Sequence, residues 1–577
     1  MKYLSALRHF TFYIVLAVFS SCSLLGIHVR VTNPKKAGKY PKFSASTKLL
    51  GAINKYRSCF DATFYNLSLF VDHKNKYLKG KVEMRATALV DFDTLQIDLY
   101  QNLKINSIEL CSPLERARRE DVKYIRKHGA IFIAMPKKIP AGEKFKLTIG
   151  YEGKPVVAPK PPWRGGFVWK KDKEGNPWIG VACETEGASL WWPCKDVTND
   201  EPDSAAINIT VAKDLMAVAN GHLTGKEENG DFATYKWHIS YPINLYDVSI
   251  YVGKFALLAD SYQMPSGNTL SVNHYVLPVN YEKAKKHLTQ AKEQLAFFEK
   301  TFGDYPWYKD GYKLIESPYE GMEHQTAIAY GADYKTSYNG FDYIILHESA
   351  HEWWGNSITA SDLADVWLQE GFATYSEALF VENTQGKNAY LRYLLTYRLF
   401  IKNKRPVVGP VGVRFFDYKD SDVYMKGAWI LHTLRTLISN DQLFFDILKT
   451  FHKTYTKKTV TSADFINTVN EKTGEDYKWF FDQYLYRREA PFLDYYTDGT
   501  DLYYRWKYVD STFKMPAEIA LDGLVMINLK PAEYIQKIPV SGATYKEVTF
   551  NNYTELFGVA KNKKLPKEYL RQNTANF

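Results

Sequence analysis

Two histidines and two glutamates in this sequence have the spacing of a metal-dependent hydrolytic site. His347 and His351 lie four positions apart in the stretch Tyr343 to Gly355, whose pattern predicts a helix that ends at the glycine. Both imidazoles then project from one helical face, as two nitrogen ligands of one zinc ion must. Glu348 lies between them and can act as general base towards a metal-bound water. A catalytic zinc takes a third protein ligand, and Glu370, with eighteen residues between it and His351, is the candidate.

The length and composition of the chain limit what can surround this site. A chain of 577 residues is too long for one hydrophobic core and predicts several domains. Only 13 residues are histidine, so a chance occurrence of the zinc pattern is disfavoured and we predict one zinc ion per chain. The formal charge of +10 is spread along the chain without a long run of Lys or Arg, so nucleic-acid binding is not favoured. The sequence does not indicate an oligomeric state.

The first residues have the pattern of an export signal. Lys2 and Arg8 precede the apolar run 10–19, which is too short to span a bilayer and is typical of a signal peptide. The small residues before Cys22 resemble a bacterial lipobox, which predicts a lipoprotein signal peptide over residues 1–22 and a lipid anchor on Cys22. Ordinary signal cleavage nearby is the alternative. Either way we expect export, to the bacterial periplasm or outer membrane. Residues 23–52 are interpreted as a linker between the lipid and the enzyme.

Four further cysteines do not form a recognisable motif. They are Cys59, Cys111, Cys183 and Cys194. Four cysteines allow three complete pairings, and the sequence does not choose among these pairings and free buried thiols. None has CxxC spacing, so they do not predict a second metal site.

The period of the apolar residues changes twice along the chain. From 53 to 275 the pattern alternates with period two, as in Val82, Met84 and Ala86, and predicts strands. From 276 to 490 apolar residues recur three or four positions apart, as in Leu288, Ala291 and Leu295, and predict helices. After 491 alternation returns. We therefore predict a multidomain α+β protein with domains at 53–275, 276–490 and 491–577.

Four stretches together resemble the zinc aminopeptidase family of aminopeptidase N and leukotriene hydrolase, a group of gluzincin metallopeptidases. The first is His-Glu-Ser-Ala-His-Glu-Trp-Trp-Gly-Asn with the later Trp-Leu-Gln-Glu-Gly. Gly321-Met322-Glu323-His324 is similar to the family's exopeptidase signature, except that its last residue is His instead of Asn. Tyr424-Met-Lys-Gly resembles the segment with the catalytic tyrosine, and Cys183 to Asp196 the segment with a second glutamate. The similarity covers about residues 53–488.

The resemblance implies roles for several residues. Tyr424 would donate its hydroxyl to the oxyanion, beside the metal. Glu184 and Glu323 would bind the substrate's free ammonium group, and the backbone at Gly321 and Met322 would pair with the substrate as an added strand. The expected activity is metallo-aminopeptidase hydrolysis of the N-terminal residue from peptides with free N-termini.

The resemblance also implies an architecture. We expect an N-terminal antiparallel β saddle domain, a thermolysin-like, mainly helical catalytic domain and a small C-terminal β-sandwich. Only 89 residues follow residue 488, so the C-terminal helical superhelix of many relatives is not expected. Two alternatives remain: an epoxide hydrolase of the leukotriene-hydrolase type, or a surface binding lipoprotein without catalysis. The presence of Glu348 and Tyr424 argues against the second.

Overall fold

The computed structural model of the protein describes residues 31–111, 120–417, 419–521, 525–540, 548–550 and 553–574. The predicted signal peptide 1–22 and the predicted lipid on Cys22 lie outside these residues. Within the described ranges, no helix combines the length and the apolar character that a bilayer span requires.

The N-terminal segment, residues 31–52, is packed against the protein, so the linker prediction is wrong for this described part. Asn33 exchanges two hydrogen bonds with the backbone of Ala490, at 2.8 and 2.9 Å. The Gly38 N–H donates to the carbonyl of Lys404 at 2.8 Å. Helix α1 (Ala45–Gly51) follows, capped by the hydroxyl of Ser44. Composition favoured a linker because this segment is held mainly by polar contacts, which a count of apolar residues does not reveal.

Residues 60–253 form sheets, as the period-two pattern predicted. The largest has eight strands in the order β13-β14-β11-β1-β2-β8-β4-β5, antiparallel apart from the parallel pair β1 and β11. The strands are β1 (Phe60–Asp72), β2 (Tyr77–Ala88), β3 (Phe92–Asp98), β4 (Leu103–Cys111), β5 (Glu120–Asp121), β6 (Tyr124–Lys127), β7 (Ala130–Ile139), β8 (Lys144–Gly153), β9 (Gly166–Lys171), β10 (Pro177–Ala182), β11 (Ser204–Ala212), β12 (Met216–Ala219), β13 (His222–Asn229), β14 (Phe232–Ile239) and β15 (Ile250–Gly253). Smaller sheets have the orders β12-β15-β10-β9 and β3-β7-β6.

The next sheet begins before the predicted domain boundary at 275. Its order is β16-β17-β18-β20-β19, and it joins residues on both sides of that boundary through the parallel pairing of Tyr275 with Ile315. The hairpin β16–β17 therefore belongs to the catalytic domain. The sequence could not show this, because an apolar period of two indicates a strand but not the sheet that the strand joins. The strands are β16 (Ala256–Gln263), β17 (Thr269–Val276), β18 (Leu314–Glu316), β19 (Gly321–Met322), β20 (Ile328–Tyr330), β21 (Ile358–Ala360) and β22 (Lys458–Val460).

Helices surround this sheet. They are α2 (Tyr281–His287), α3 (Gln290–Phe302), α4 (Tyr343–Ala350), α5 (Trp367–Gln385), α6 (Lys387–Arg398), α7 (Asp422–Ile438), α8 (Asp441–Tyr455), α9 (Ser462–Thr473) and α10 (Lys478–Leu485). Aromatic side chains fill the space between them, and the ring of Trp354 contacts both Phe302 and Phe372 at 5.0 and 4.9 Å between centroids.

The C-terminal residues add two sheets and a helix. The sheets have the orders β27-β24-β23-β29 and β26-β25-β28. The elements are β23 (Phe492–Thr497), β24 (Asp501–Lys507), β25 (Ala517–Leu521), β26 (Val525–Leu529), β27 (Gln536–Pro539), β28 (Val548–Phe550), β29 (Gly558–Lys561) and α11 (Leu565–Thr574). Trp506 and Phe513 are buried in the same apolar core as the helices, so this part packs directly on the catalytic domain.

Candidate active site

The two candidate histidines lie at the end of helix α4, which stops earlier than predicted. The carboxylate of Asp342 caps its start, and the last helical residue is Ala350. His351 is the C-cap and still has helical dihedral angles, φ −63° and ψ −21°, so both imidazoles keep the same face. Gly355, the predicted end, lies in the turn beyond, with φ 136°. Helix α4 ends at Ala350 because the N–H groups of Glu352 and Trp353 bond only three residues back, to the carbonyls of Ser349 and Ala350.

Each imidazole is oriented by a hydrogen bond on the side away from the site. His347 donates from Nδ1 to the carboxylate of Glu377 at 2.7 Å, and His351 donates from Nδ1 to the carbonyl of Trp354 at 2.8 Å. Because Nδ1 carries the proton in both rings, both Nε2 atoms present lone pairs. Glu377 is itself held by the hydroxyl of Tyr393 at 2.5 Å. Such contacts fix the tautomer of metal-binding histidines.

The unprotonated Nε2 atoms and one carboxylate oxygen form a triangle of the size that zinc requires. The two Nε2 atoms are 3.2 Å apart, and Glu370 Oε2 lies 3.4 Å from His347 Nε2 and 3.6 Å from His351 Nε2. Ligands about 2.0–2.1 Å from a tetrahedral zinc would be separated by about 3.3 Å. Glu370 Oε2 is buried without any other hydrogen-bond partner. These residues fit one zinc ion.

The candidate general base lies against a glycine. Glu348 is 7% exposed, and a Cβ on Gly321 would approach its Oε1 to 2.4 Å and a methyl group of Ile344 to 2.9 Å. Gly321 therefore makes room for the carboxylate. Burial raises the pKa of Glu348 to about 8, and the nearby Glu323 adds to this shift. Gly321 and the buried Met322 form β19, the last strand of its sheet, so a peptide could pair with its other edge.

Tyr424 reaches the site through a close crossing of helices α5 and α7. A Cβ on Gly371 would lie 2.9 Å from Gly427 Cα, so each glycine permits the backbones to touch. Gly371 follows Glu370, and Gly427 ends the Tyr-Met-Lys-Gly motif, so this contact brings Tyr424 beside the metal ligand. Its ring is stacked on that of His347, with centroids 6.3 Å apart. Burial raises the pKa of Tyr424 well above its usual value, and the carboxylate of Glu370 adds to the effect.

Glu184 and Glu323 come from different domains and meet beside the metal ligands. Carboxylate oxygens of Glu184, Glu323 and Glu370 all lie within 4.8 Å of one another. Glu323 accepts a hydrogen bond from the hydroxyl of Tyr246 at 3.2 Å, and its carbonyl accepts one from Asn356 at 2.8 Å. Burial raises the pKa of both Glu184 and Glu323, and the Glu323 charge adds to the shift at Glu184. The two carboxyl groups are therefore close enough to contact one cation.

The histidine that replaces the family's asparagine points away from this cluster. His324 is fully buried, and its Nδ1 lies 2.6 Å from the hydroxyl of Tyr251. That hydroxyl donates to the carbonyl of Ala327 at 2.8 Å, so the imidazole donates from Nδ1 and its Nε2 has no partner. Burial lowers the pKa of His324 to about 3. The imidazole is therefore neutral across the usual pH range.

Sequence reasoning missed three residues that support the site. Tyr246 links the two domains: its hydroxyl contacts Glu323 and accepts from Gln369 Nε2 at 2.9 Å. Gln369 precedes a predicted ligand, but its type alone gave no signal. Glu377 accepts from His347 Nδ1, and its position two helical turns after Glu370, on the same helical face, is the one signal that could have indicated this contact. These contacts depend on tertiary structure.

Cys59, Cys111, Cys183 and Cys194 are free thiols in the structure. The sequence left open whether these cysteines form disulfides or remain free thiols, and in the structure all four are free. Burial raises the pKa of Cys59 to about 11 and that of Cys183 well above its usual value. Deprotonated thiolates are therefore disfavoured at Cys59 and Cys183, which are buried and act as inert apolar residues.

Comparison with known proteins agrees with this arrangement. The description "Peptidase M1 N-terminal domain" matches residues 61–246, and "Peptidase family M1 domain" matches residues 286–484. The two matches follow each other along the chain in the same order as the two domains. The second match includes the candidate metal ligands, Glu348 and Tyr424. The chain belongs to the M1 peptidase family, and the family and the His-His-Glu cluster together indicate one zinc ion per chain.

Individual relatives are distant in sequence. A leucyl aminopeptidase from Saccharolobus solfataricus is 22% identical over 332 residues, which are 54% of this chain and 41% of that protein. Aminopeptidase N from Escherichia coli is 22% identical over 286 residues, 46% of this chain and 32% of that protein. The chain thus spans less than half the length of these two curated relatives.

Solved structures share the fold. The crystal structure of an M1 zinc metallopeptidase from Deinococcus radiodurans has a TM-score of 0.64 at 23% identity, and covers 75% of this chain and 94% of that one. A variant of that enzyme bound to a Tyr-Ser-Ala substrate has a TM-score of 0.62 at 22% identity, and covers 75% of this chain and 95% of that one. The two-domain M1 fold, with an N-terminal β-rich domain and a helical catalytic domain, is therefore confirmed.

Proposed function

We propose that this protein is a zinc-dependent aminopeptidase that removes the N-terminal residue from peptides with a free amino group. The observation that carries the proposal is the carboxylate cluster of Glu184 and Glu323 beside the metal ligand Glu370. With Glu370 assigned to the zinc ion, Glu184 and Glu323 remain available to bind a second cation. A substrate ammonium group supplies that cation, and two carboxylates at the end of the site leave no path for a longer chain.

The residues around the metal ligands perform distinct steps. When bound, zinc supplies Lewis acidity towards water and the scissile carbonyl. Glu348 accepts a proton from water and delivers it to the leaving amine. The hydroxyl of Tyr424 donates a hydrogen bond to the oxygen that becomes negatively charged, because its raised pKa keeps it protonated. Glu184 and Glu323 hold the ammonium group, and the free edge of β19 aligns the backbone of the peptide.

A comparison of two peptides tests the proposal. A peptide with a free N-terminus should lose its first residue, whereas the same peptide with an acetylated N-terminus should remain intact, since it carries no ammonium group. Mass spectrometry of the products distinguishes the two results, and a chelator followed by zinc addition controls for the metal. Efficient cleavage of the acetylated peptide, or cleavage at internal bonds, would reject the aminopeptidase assignment.

We also propose a membrane location and a third domain. The basic, apolar and small residues before Cys22 support export and a lipid anchor in the bacterial periplasm or outer membrane. Mass spectrometry of the mature N-terminus tests this, and an unmodified first residue other than Cys22 would contradict it. The two sheets after residue 491 support a small C-terminal β-sandwich.

A further inference from the structure

We infer that Arg414 and the N-terminal segment form a brace that positions Glu184 for binding the substrate ammonium group. The inference rests on the proposed function, because it concerns the same amine site. It assigns a role to a segment that precedes both matched domains and to a loop between α6 and α7.

Glu184 needs such a brace because its own carboxylate has few partners. Its Oε1 is buried without a hydrogen-bond partner, whereas Glu323 accepts from Tyr246. The direction of the Glu184 side chain therefore depends on the backbone that carries it. That backbone is a tight turn in which the Gly187 N–H donates to the carbonyl of Cys183 at 2.6 Å, with φ 83° at the glycine. A shift of this turn would move the carboxylate.

The guanidinium of Arg414 holds this turn directly. Its Nη1 donates to the carbonyl of Glu186 at 2.9 Å and to the carboxylate of Asp196 at 2.6 Å. The same carboxylate accepts from the N–H groups of Ala188 and Ser189, at 3.2 and 3.0 Å. The guanidinium of Arg414 thus joins Glu186, in the turn after Glu184, to Asp196. The carboxylate of Asp196 in turn caps the short helical turn that begins at Ala188. Arg414 fixes the backbone two residues after Glu184.

The N-terminal segment holds Arg414 from the opposite side. The Arg414 N–H donates to the carbonyl of Thr47 at 3.0 Å, and its Nη2 donates to the carbonyl of Leu50 at 3.2 Å. Gly51 permits this contact: a Cβ there would lie 2.2 Å from Arg414 N and 2.3 Å from the carbonyl carbon of Val413. Both atoms belong to backbone, so neither can rotate away. The segment and the Val413–Arg414 loop are therefore in direct contact, with Glu184 lining the same crevice.

The ion pair between Arg414 and Asp196 is buried, and this burial limits which variants can test the brace. The side chains of Arg414 and Asp196 are 10% and 7% exposed. Removing either charge would leave the other buried without a partner, which destabilises a fold as a whole. A variant that moves the brace without removing a charge is therefore the better test. Gly51→Ala does this, because its new methyl group must push the segment and the loop apart.

The matched control is Gly225→Ala. Gly51 and Gly225 are both half-buried and neither has a positive φ, but a Cβ on Gly225 meets no atom within 4 Å. Kinetics with a free-amine peptide should show that Gly51→Ala lowers kcat/KM by about 10- to 100-fold, mainly through KM. Zinc content should equal that of the wild type. Gly225→Ala should match the wild type in both measurements.

A second substrate separates positioning from a general loss of structure. It is the same peptide with its N-terminal amine replaced by hydrogen, which Glu184 cannot bind. The wild type should prefer the amine peptide, and Gly51→Ala should lose most of this preference, because its amine contact is misplaced while the metal side is intact. A general structural defect would slow both substrates equally and keep the preference. Arg414→Lys, which keeps the charge but loses the fork, should lose the preference to an intermediate degree.

The outcomes separate this inference from the proposed function. A wild type without preference for the amine peptide would reject the aminopeptidase assignment and the brace together. A wild-type preference that both Gly51→Ala and Arg414→Lys retain would overturn the brace alone. If Gly51→Ala fails to fold, Arg414→Lys decides the matter with the same two peptides.

Discussion

The metal-binding half and the amine-binding half of this site are built in different ways. The metal ligands come from helices α4 and α5 of one domain, and a hydrogen bond orients each imidazole from behind. The amine half joins a turn of the N-terminal domain, which carries Glu184, to the β19 region of the catalytic domain, which carries Glu323. In this half the carboxylate of Glu323 accepts a hydrogen bond from a side chain, whereas Oε1 of Glu184 has no hydrogen-bond partner.

This difference predicts how each half responds to perturbation. A site built within one domain, on adjacent helices, depends on local packing. A site built across a domain boundary depends also on the contacts that hold the domains together, such as Tyr246 and Arg414. Changes at the boundary should therefore impair recognition of the amine and leave zinc bound, whereas changes behind the imidazoles should release zinc.

The largest effect is expected at Glu348. Glu348→Gln should keep zinc and lower kcat by about a thousandfold, since the ligands remain but the proton carrier does not. Steady-state kinetics and metal analysis on the same sample measure both effects. Glu352→Gln is the matched control, one helical turn further along the chain. Glu352 is also buried, but its carboxylate accepts a hydrogen bond from the backbone N–H of Thr326. Equal activity losses in the two variants would reject Glu348 as the base.

Glu377 tests the metal-binding half. Glu377→Ala removes the acceptor of the His347 Nδ1 proton, so the imidazole loses its fixed orientation and tautomer. Zinc affinity should fall by about 10- to 100-fold. Competition with a chelator measures the affinity, and the preference for free over acetylated peptide should persist in zinc-saturated protein. Unchanged zinc affinity would show that this contact does not support the metal.

Tyr246 tests the amine-binding half. Tyr246→Phe removes the hydroxyl between Glu323 and Gln369, so KM for a free-amine peptide should rise by about tenfold, at unchanged zinc affinity. Tyr235→Phe is the control, because that hydroxyl is also buried and donates at 3.2 Å to the carbonyl of Leu215, far from the metal ligands in the N-terminal sheet. If Tyr246→Phe released zinc and left KM unchanged, the two halves would not be separable as described.

The last prediction concerns acid stability at His324, where no change in catalytic activity is expected. Its pKa is lowered from 6.5 to about 3 in the folded protein, so the unfolded chain binds a proton first as pH falls below 6.5. Folded stability is therefore lost on acidification, by up to about 2 kcal/mol from this group between pH 6.5 and 5. His324→Asn should remove this slope in urea unfolding, and the acid limb of kcat/KM should stay unchanged.

His432 provides the matched comparison for that measurement. It has a similar hydrogen-bond environment, with Nδ1 at 2.7 Å from the hydroxyl of Tyr390 and an Nε2 without a partner. Burial lowers its pKa to about 3, and the charges of Arg435 and Arg398 add to this shift. His432→Asn should flatten the acid stability by a similar amount. A changed acid limb of kcat/KM in His324→Asn alone would instead give His324 a role in binding substrate.

Much of the site could be predicted because its spacing is local. His347, Glu348 and His351 lie within one turn and a half of a helix, so period alone places two imidazoles on one face and the carboxylate between them. Glu370 followed from its distance along the chain after this pattern. The resemblance then supplied Tyr424, Glu184, Gly321, Met322 and Glu323, which the structure brings around the same point.

Other features could not be predicted because they depend on residues far apart in the sequence. The sequence composition of 31–52 indicates a linker, but its contacts with Ala490 and Lys404 exist only after the chain has folded. The hairpin β16–β17 would show the same strand periodicity in a sheet of the N-terminal domain or of the catalytic domain. Only the pairing of Tyr275 with Ile315 assigns it to the catalytic domain.

Thus the amino-acid sequence by itself determined the candidate ligand set, the candidate base and the apolar period of each domain, because helix and strand periods are properties of neighbouring residues. The tertiary structure decided where helix α4 ends, which carboxylates meet, and what holds them. The contact of Gly371 with Gly427 joins residues 56 positions apart in sequence, and the guanidinium of Arg414 contacts Glu186 and Leu50, which lie 228 and 364 positions before it. No local pattern records such distances.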